Sequence, residues 1–146
     1  MIAIEQALNT ELLGGGLDLD IVFDNGIYSV WDCLGYEHQT GAYVPSTERG
    51  YIESKVFPAS ILPFSLNHSD THSGVYQVIV KYPADMGSIV VKSKVDEVLA
   101  LFGIGSTLTY DSQSVTIDTK SVDGGRVEGG FYQVVVRFEY QAFVTR

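Results

Sequence analysis

The chain has 146 residues, 45% of them hydrophobic and 18% charged, and 9 basic against 18 acidic residues give a net charge of −9. This is enough sequence for one domain with a sizeable core, and the composition excludes disorder as its main state. The acidity excludes a basic footprint for nucleic acid or anionic lipid, and the lone Cys33 excludes an internal disulfide framework and fits a reducing compartment.

The opening MIAIEQALNTELL lacks a basic n-region and a long apolar h-region, so no signal peptide is expected. No run approaches the ~18 apolar residues of a membrane helix, and a cytoplasmic protein is expected. Ile4, Leu8 and Leu12, with Ala7 between them, predict a helix over 2–13. Gly14, Gly15 and Gly16 then stop it, because glycine tolerates a left-handed cap. LDLDIVF at 17–23 predicts a strand that begins at an exposed edge, with Asp18 and Asp20 as solvated charges that block unwanted pairing. DNG at 24–26 is turn chemistry.

Residues 26–50 show no clear period and predict a long loop with room for a short strand or hairpin. Its Tyr28, Trp31, Tyr36 and Tyr43 either pack the loop onto the body or anchor a partner. YIESKVFPA at 51–59 is a strand with Tyr51, Glu53, Lys55 and Phe57 on one face and Ile52, Ser54 and Val56 on the other; Pro58 ends it or marks an edge. LNHSDTHSG at 66–74 reads as a polar connection. SIVVKSKVDEVLALF at 88–102 is a second helix, with Val91, Val95, Val98 and Phe102 as its stripe and Ser88 or Asp85 as its cap. Residues 106–119 predict two short strands or one bent strand, and DGGRVEGG at 123–130 a glycine-rich turn.

Two segments repeat one phrase, GVYQVIVKY at 74–82 and GFYQVVVRFEY at 130–140. Each puts alternate aromatic and valine side chains on one face and Gln, an aliphatic and a basic residue on the other. No matching segments precede them, so duplication is rejected. They are expected to be two central strands of one antiparallel sheet, its aromatic–aliphatic face covered by both helices. The predicted class is α+β, one mostly antiparallel sheet with two helices on one face. The other face carries Gln77, Ile79, Lys81, Gln133, Val135, Arg137 and Glu139, a mixture that suits a subunit interface.

Catalytic chemistry is not assembled in the sequence. There is no G-x-S-x-G elbow and no phosphate-binding G-x-x-x-x-G-K-[ST] loop, and the 123–130 glycines neither hold a lysine nor open a helix. His68 and His72 stand four apart, but their neighbours favour a loop over the helix that would fix a metal geometry. Cys33 has His38 nearby without an oriented third partner. The competing reading is a small ligand- or metal-binding domain with the aromatic loop as its lid.

Phe23-Asp24-Asn25 followed by Tyr43-Val44-Pro45, Gly74 to Val80 running through Pro83 into a helix ending in Leu101-Phe102, and Gly130 to Val136 with Tyr140 resemble the tail terminator-like proteins of long-tailed bacteriophages, such as the lambda-type minor tail protein. The resemblance spans nearly the whole chain and rests on structural motifs. It departs at about 26–42, where an insertion carries Trp31, Cys33 and Tyr36. The resemblance implies a single α+β subunit of a hexameric ring, without enzyme activity or cofactor. Such a ring binds the end of the tail tube, stops its growth and meets the head connector, while DNA passes the lumen without specific binding. It implies a virion protein assembled in the host cytoplasm. Asp123, Arg126 and Glu128 at one hairpin, with Trp31, Tyr36 and Tyr43, are the candidate tube or connector contacts; another neck protein on the same fold is the neighbouring alternative.

Overall fold

The computed structural model describes residues 2–24, 27–32, 35–46, 48–63 and 69–145. In chain order these hold α1 (Ile2–Leu13), β1 (Asp20–Val22), β2 (Ile27–Asp32), β3 (Gly35–Thr40), β4 (Tyr51–Pro63), β5 (Ser69–Pro83), α2 (Ser88–Leu101), β6 (Thr107–Tyr110), β7 (Gln113–Val122), β8 (Arg126–Glu128) and β9 (Phe131–Thr145). Among these residues the strands form one sheet in the order β3-β2-β1-β4-β5-β9-β7-β6, with β8 paired to β9. Only β1–β4 is parallel, so the class is α+β with a mostly antiparallel sheet.

The repeated phrase is explained by register. β5 and β9 lie side by side and antiparallel, with Tyr76 opposite Phe138, Val78 opposite Val136, Val80 opposite Val134 and Tyr82 opposite Tyr132. On the other face Gln77 meets Arg137, Ile79 meets Val135 and Lys81 meets Gln133. The phrase is close to palindromic in residue type, so two antiparallel copies match aromatic with aromatic and amide with base. Such cross-strand pairs are the unit of sheet stability.

Both helices contribute to one core. Ile4, Ala7, Leu8 and Leu12 of α1 and Val91, Val95 and Val98 of α2, with Phe102, join Tyr76, Val78, Val80, Val134, Val136 and Phe138 in a single buried cluster. Phe102 sits between Tyr76 and Phe138, with ring centroids at 5.7 and 4.6 Å. The Tyr76 hydroxyl, taken out of water, donates to the Asn9 side chain at 2.8 Å.

Several sequence expectations change. The 26–50 loop contains the β2–β3 hairpin. β4 runs on to Pro63 past an irregularity between Pro58 and Ser60, and β5 begins at Ser69, so most of the polar 66–74 connection is strand. Pro58 fits because β1 covers only Tyr51 to Glu53, which leaves the rest of β4 as an edge among the described residues. The first strand, by contrast, lies inside the sheet between β2 and β4. It starts only at Asp20, because Asp18 takes φ 59° and breaks the extended run. Neither Ser88 nor Asp85 caps α2; Gly87 occupies that position with φ 86° and no side-chain cap bond, a backbone open to glycine.

The C-terminal half forms two tight hairpins. Asp111 and Ser112, with φ 47° and 67°, turn β6 into β7, and Gly129 and Gly130, with φ 59° and 81°, turn β8 into β9. β7 and β8 both pair with β9 and are separated by the break at 123–125.

Candidate assembly surface

The face of β5 and β9 turned away from the core carries the seven predicted interface residues together. They are not equally available. Gln133 and Val135 are already buried, at 5% and 9% exposure, while Gln77, Ile79, Lys81 and Arg137 are half-buried and Glu139 is exposed. The Gln133 amide donates to Glu128 at 3.2 Å, and Arg126 pairs with the same carboxylate at 3.2 Å. Arg137 is held by Asp123 at the break between β7 and β8. Lys81 reaches Glu53 on β4 at 3.2 Å and lies 5.6 Å from the Tyr51 ring centroid. The predicted hairpin contacts Asp123, Arg126 and Glu128 thus adjoin the β5–β9 face, each in an ion pair with that face or its own strand.

The same face continues into an aromatic row. Tyr28 of β2, Tyr43 of the strand-free 41–46 segment, Tyr51 of β4 and Phe131 of β9 follow one another with centroids 5.2, 5.0 and 5.5 Å apart. Under Tyr43 lies Asp20. Its exposure is 8%, so the solvated edge carboxylate expected from LDLD is corrected to a buried one. Its oxygens accept from the Trp31 backbone N–H at 2.9 Å and the Tyr43 hydroxyl at 2.7 Å, and Arg49 stands 3.7 Å away. These partners offset the cost of burying a charge. Burial first, and then this hydrogen bond, hold the Tyr43 phenol well above its ordinary ionisation range.

The four loop aromatics therefore divide. Tyr28 and Tyr43 belong to the row, whereas Trp31 and Tyr36 meet each other, edge to face at 4.9 Å, on the opposite side of the β2–β3 hairpin. Tyr36 packs against the core and its buried hydroxyl has no hydrogen-bond partner among the described residues. Burial chiefly, with Asp18 and Asp20 adding, pushes this phenol up to about 12.

The other candidate chemistry stays dispersed. His72 lies on β5 between Ile61 and Ala142, while His68 and Cys33 fall outside the described residues. His38 is engaged with the Ser29 hydroxyl at 2.6 Å. The sequence reading missed Asp20, Arg49, Tyr51 and Phe131 as members of one surface. Nothing local announces it, because the parallel β1–β4 pairing brings Asp20 beside Tyr51.

The family model for phage tail terminator protein matches residues 30–140. No curated protein matches the chain. One solved structure, 20% identical, superposes with a TM-score of 0.66 over 97% of this chain and 91% of its own, which shows a shared fold. The chain belongs to the phage tail terminator protein family, a family of phage tail structural proteins.

Proposed function

We propose that this chain is the subunit of a hexameric ring that caps the end of a phage tail tube, halts the addition of tube subunits and offers the surface on which the head connector docks. In this reading both helices close the aromatic–aliphatic face of the sheet, and the β5–β9 face with Gln77, Ile79, Lys81, Val135 and Arg137 meets the neighbouring subunit. The observation that carries it is that face itself: aliphatic side chains at its centre, amides and bases at fixed register around them, and an exposed Glu139 that no element covers among the described residues. Interfaces need apolar contact and polar register together. The 123–128 hairpin and the aromatic hairpin region face the tube or the connector. The role is structural and needs no cofactor or catalysis. A net charge of −9 on every subunit lets DNA pass a ring lumen without being gripped.

The test is addition of the purified protein to polymerising tail tube protein. Shortened tubes with one blunt, ring-capped end in negative stain support the reading. Tubes of unchanged length and uncapped ends overturn it.

A further inference from the structure

Beyond Glu53, β4 has β5 on one side only among the described residues, and the ribbon it forms with β5 and the end of β9 exposes apolar side chains on both faces. Phe57 is 42% exposed, Ile61 54%, Leu62 60% and Phe143 50%. A thin ribbon that is apolar on both faces and open along one edge is unusual for a free subunit and marks a contact surface. At the opposite margin of the sheet, a groove of about 430 Å³ opens between α2 and the β7–β8 link. Val95 and Val134 form its buried floor, Leu99 and the half-exposed Val122 its walls. Gly124 and Gly125 leave this mouth without side chains.

We propose that the Phe57–Leu62 ribbon of one copy seats in the α2–β7/β8 groove of the next. The occupant is a second copy for three reasons. Knob and groove lie on opposite sides of the β5–β9 pair, so each contact leaves another knob and another groove free to continue in the same sense; this is the head-to-tail geometry that closes rings. Ile61, through His72 and Ala142, lies on the core side of the sheet, the side on which Val122 stands opposite Val136. The charges also complement: among the described residues Lys55 makes no ion pair and rides 5.3 Å from the Phe57 ring centroid, and the groove wall sets two carboxylates, Asp96 without an ion pair and Asp123 paired with Arg137, against the single cation Lys92. The proposal rests on the ring-subunit reading and adds a second contact beside the β5–β9 face.

The test is disulfide trapping in Ile61→Cys/Val122→Cys with Cys33→Ser, on concentrated protein and on protein bound to purified tail tubes. Three strand spacings separate β4 from β7, about 14 Å, beyond the ~7 Å Cα separation a disulfide tolerates, so only intermolecular bonds form. A ladder of multimers from the double variant, absent from either single variant, is expected. Ile61→Asp/Leu62→Asp should lower the multimer fraction at least tenfold while its urea midpoint stays near that of the parent. No ladder in either setting, equal dimerisation of Ile61→Cys alone, or trapping to the tube protein instead overturns the proposal. Capped tubes without a ladder remove this contact and leave the terminator reading; a ladder with uncapped tubes does the reverse.

Discussion

The Tyr43 hydroxyl donates a 2.7 Å hydrogen bond to the buried carboxylate of Asp20, joining a segment without regular structure to the interior of the sheet. With the Trp31 N–H and Arg49 on the same carboxylate, this fixes Tyr43 and Arg49 across the ends of β1 and β4. Removing Asp20 orphans those donors; removing only the Tyr43 hydroxyl takes one of several. Asp20→Ala is expected to cost about 2–4 kcal/mol and Tyr43→Phe about 1 kcal/mol, read as the shift in urea midpoint. Equal effects would mean that the hydrogen bonds do not order this segment.

Alkaline pH should unfold the protein through its tyrosines. Tyr36, Tyr43, Tyr51, Tyr76, Tyr82 and Tyr140 are all held above the ordinary value of 10.0, burial being the largest cause for each. A phenol raised in the folded state keeps its proton after the unfolded chain has lost it. The stability it contributes is therefore complete below pH 10.0 and is lost as pH climbs through the folded values. Urea midpoints from these groups should be flat up to that point and fall above it, in step with the tyrosinate absorbance.

Tyr36 offers a sharper case. Its buried hydroxyl lacks a partner among the described residues, so Tyr36→Phe keeps the Trp31 contact and deletes an unsatisfied polar group. Neutral to about 1 kcal/mol of added stability is expected at neutral pH, together with a shallower alkaline loss. A clear destabilisation would show that the hydroxyl is hydrogen-bonded.

Gly74 stands opposite Tyr140, and a Cβ there would lie 2.5 Å from the Phe57 carbonyl oxygen and 2.7 Å from the Tyr140 hydroxyl. The glycine that opens the first phrase is thus fixed by the last aromatic of the second. Gly74→Ala should cost about 1–3 kcal/mol through overpacking. Phe102→Ala, which empties the space between Tyr76 and Phe138, should cost about 3–5 kcal/mol. Both are measured by denaturant unfolding.

The elements whose period matches their burial were legible in the sequence. The α1 stripe, the α2 stripe and both repeated phrases face the core as their spacing predicts, since side-chain direction follows directly from helix or strand geometry. What was not legible depends on long-range pairing. Asp20 reads as an edge charge because its alternation with Leu17 and Leu19 says nothing of Tyr43, 23 positions later, closing over it. Residues 69–74 read as a loop because Ser69, Asp70, Ser73 and Gly74 favour turns and outweigh the β-branched Thr71; pairing with β4 and β9 on both sides makes them strand. The candidate surface was half legible: register delivered Gln77, Ile79, Lys81, Gln133, Val135 and Arg137 to one face, but the aromatic row beside them needed the parallel β1–β4 contact.

Substitution at Arg137 is expected to separate folding from assembly. The Arg137 ion pair with Asp123 is about half exposed, at 39% and 54% for the two side chains, and pairs this open to solvent contribute about 0–1 kcal/mol. Arg137→Glu should therefore leave the urea midpoint nearly unchanged. On the proposed interface it sets a negative charge beside Asp123 and Glu139, on a subunit that is already acidic. Rings should be lost by light scattering and tube ends left uncapped, and Asp123→Arg in the same chain should recover part of both by restoring the pair. Intact rings from Arg137→Glu would move the interface off this face and leave the ribbon-in-groove contact to hold the ring alone.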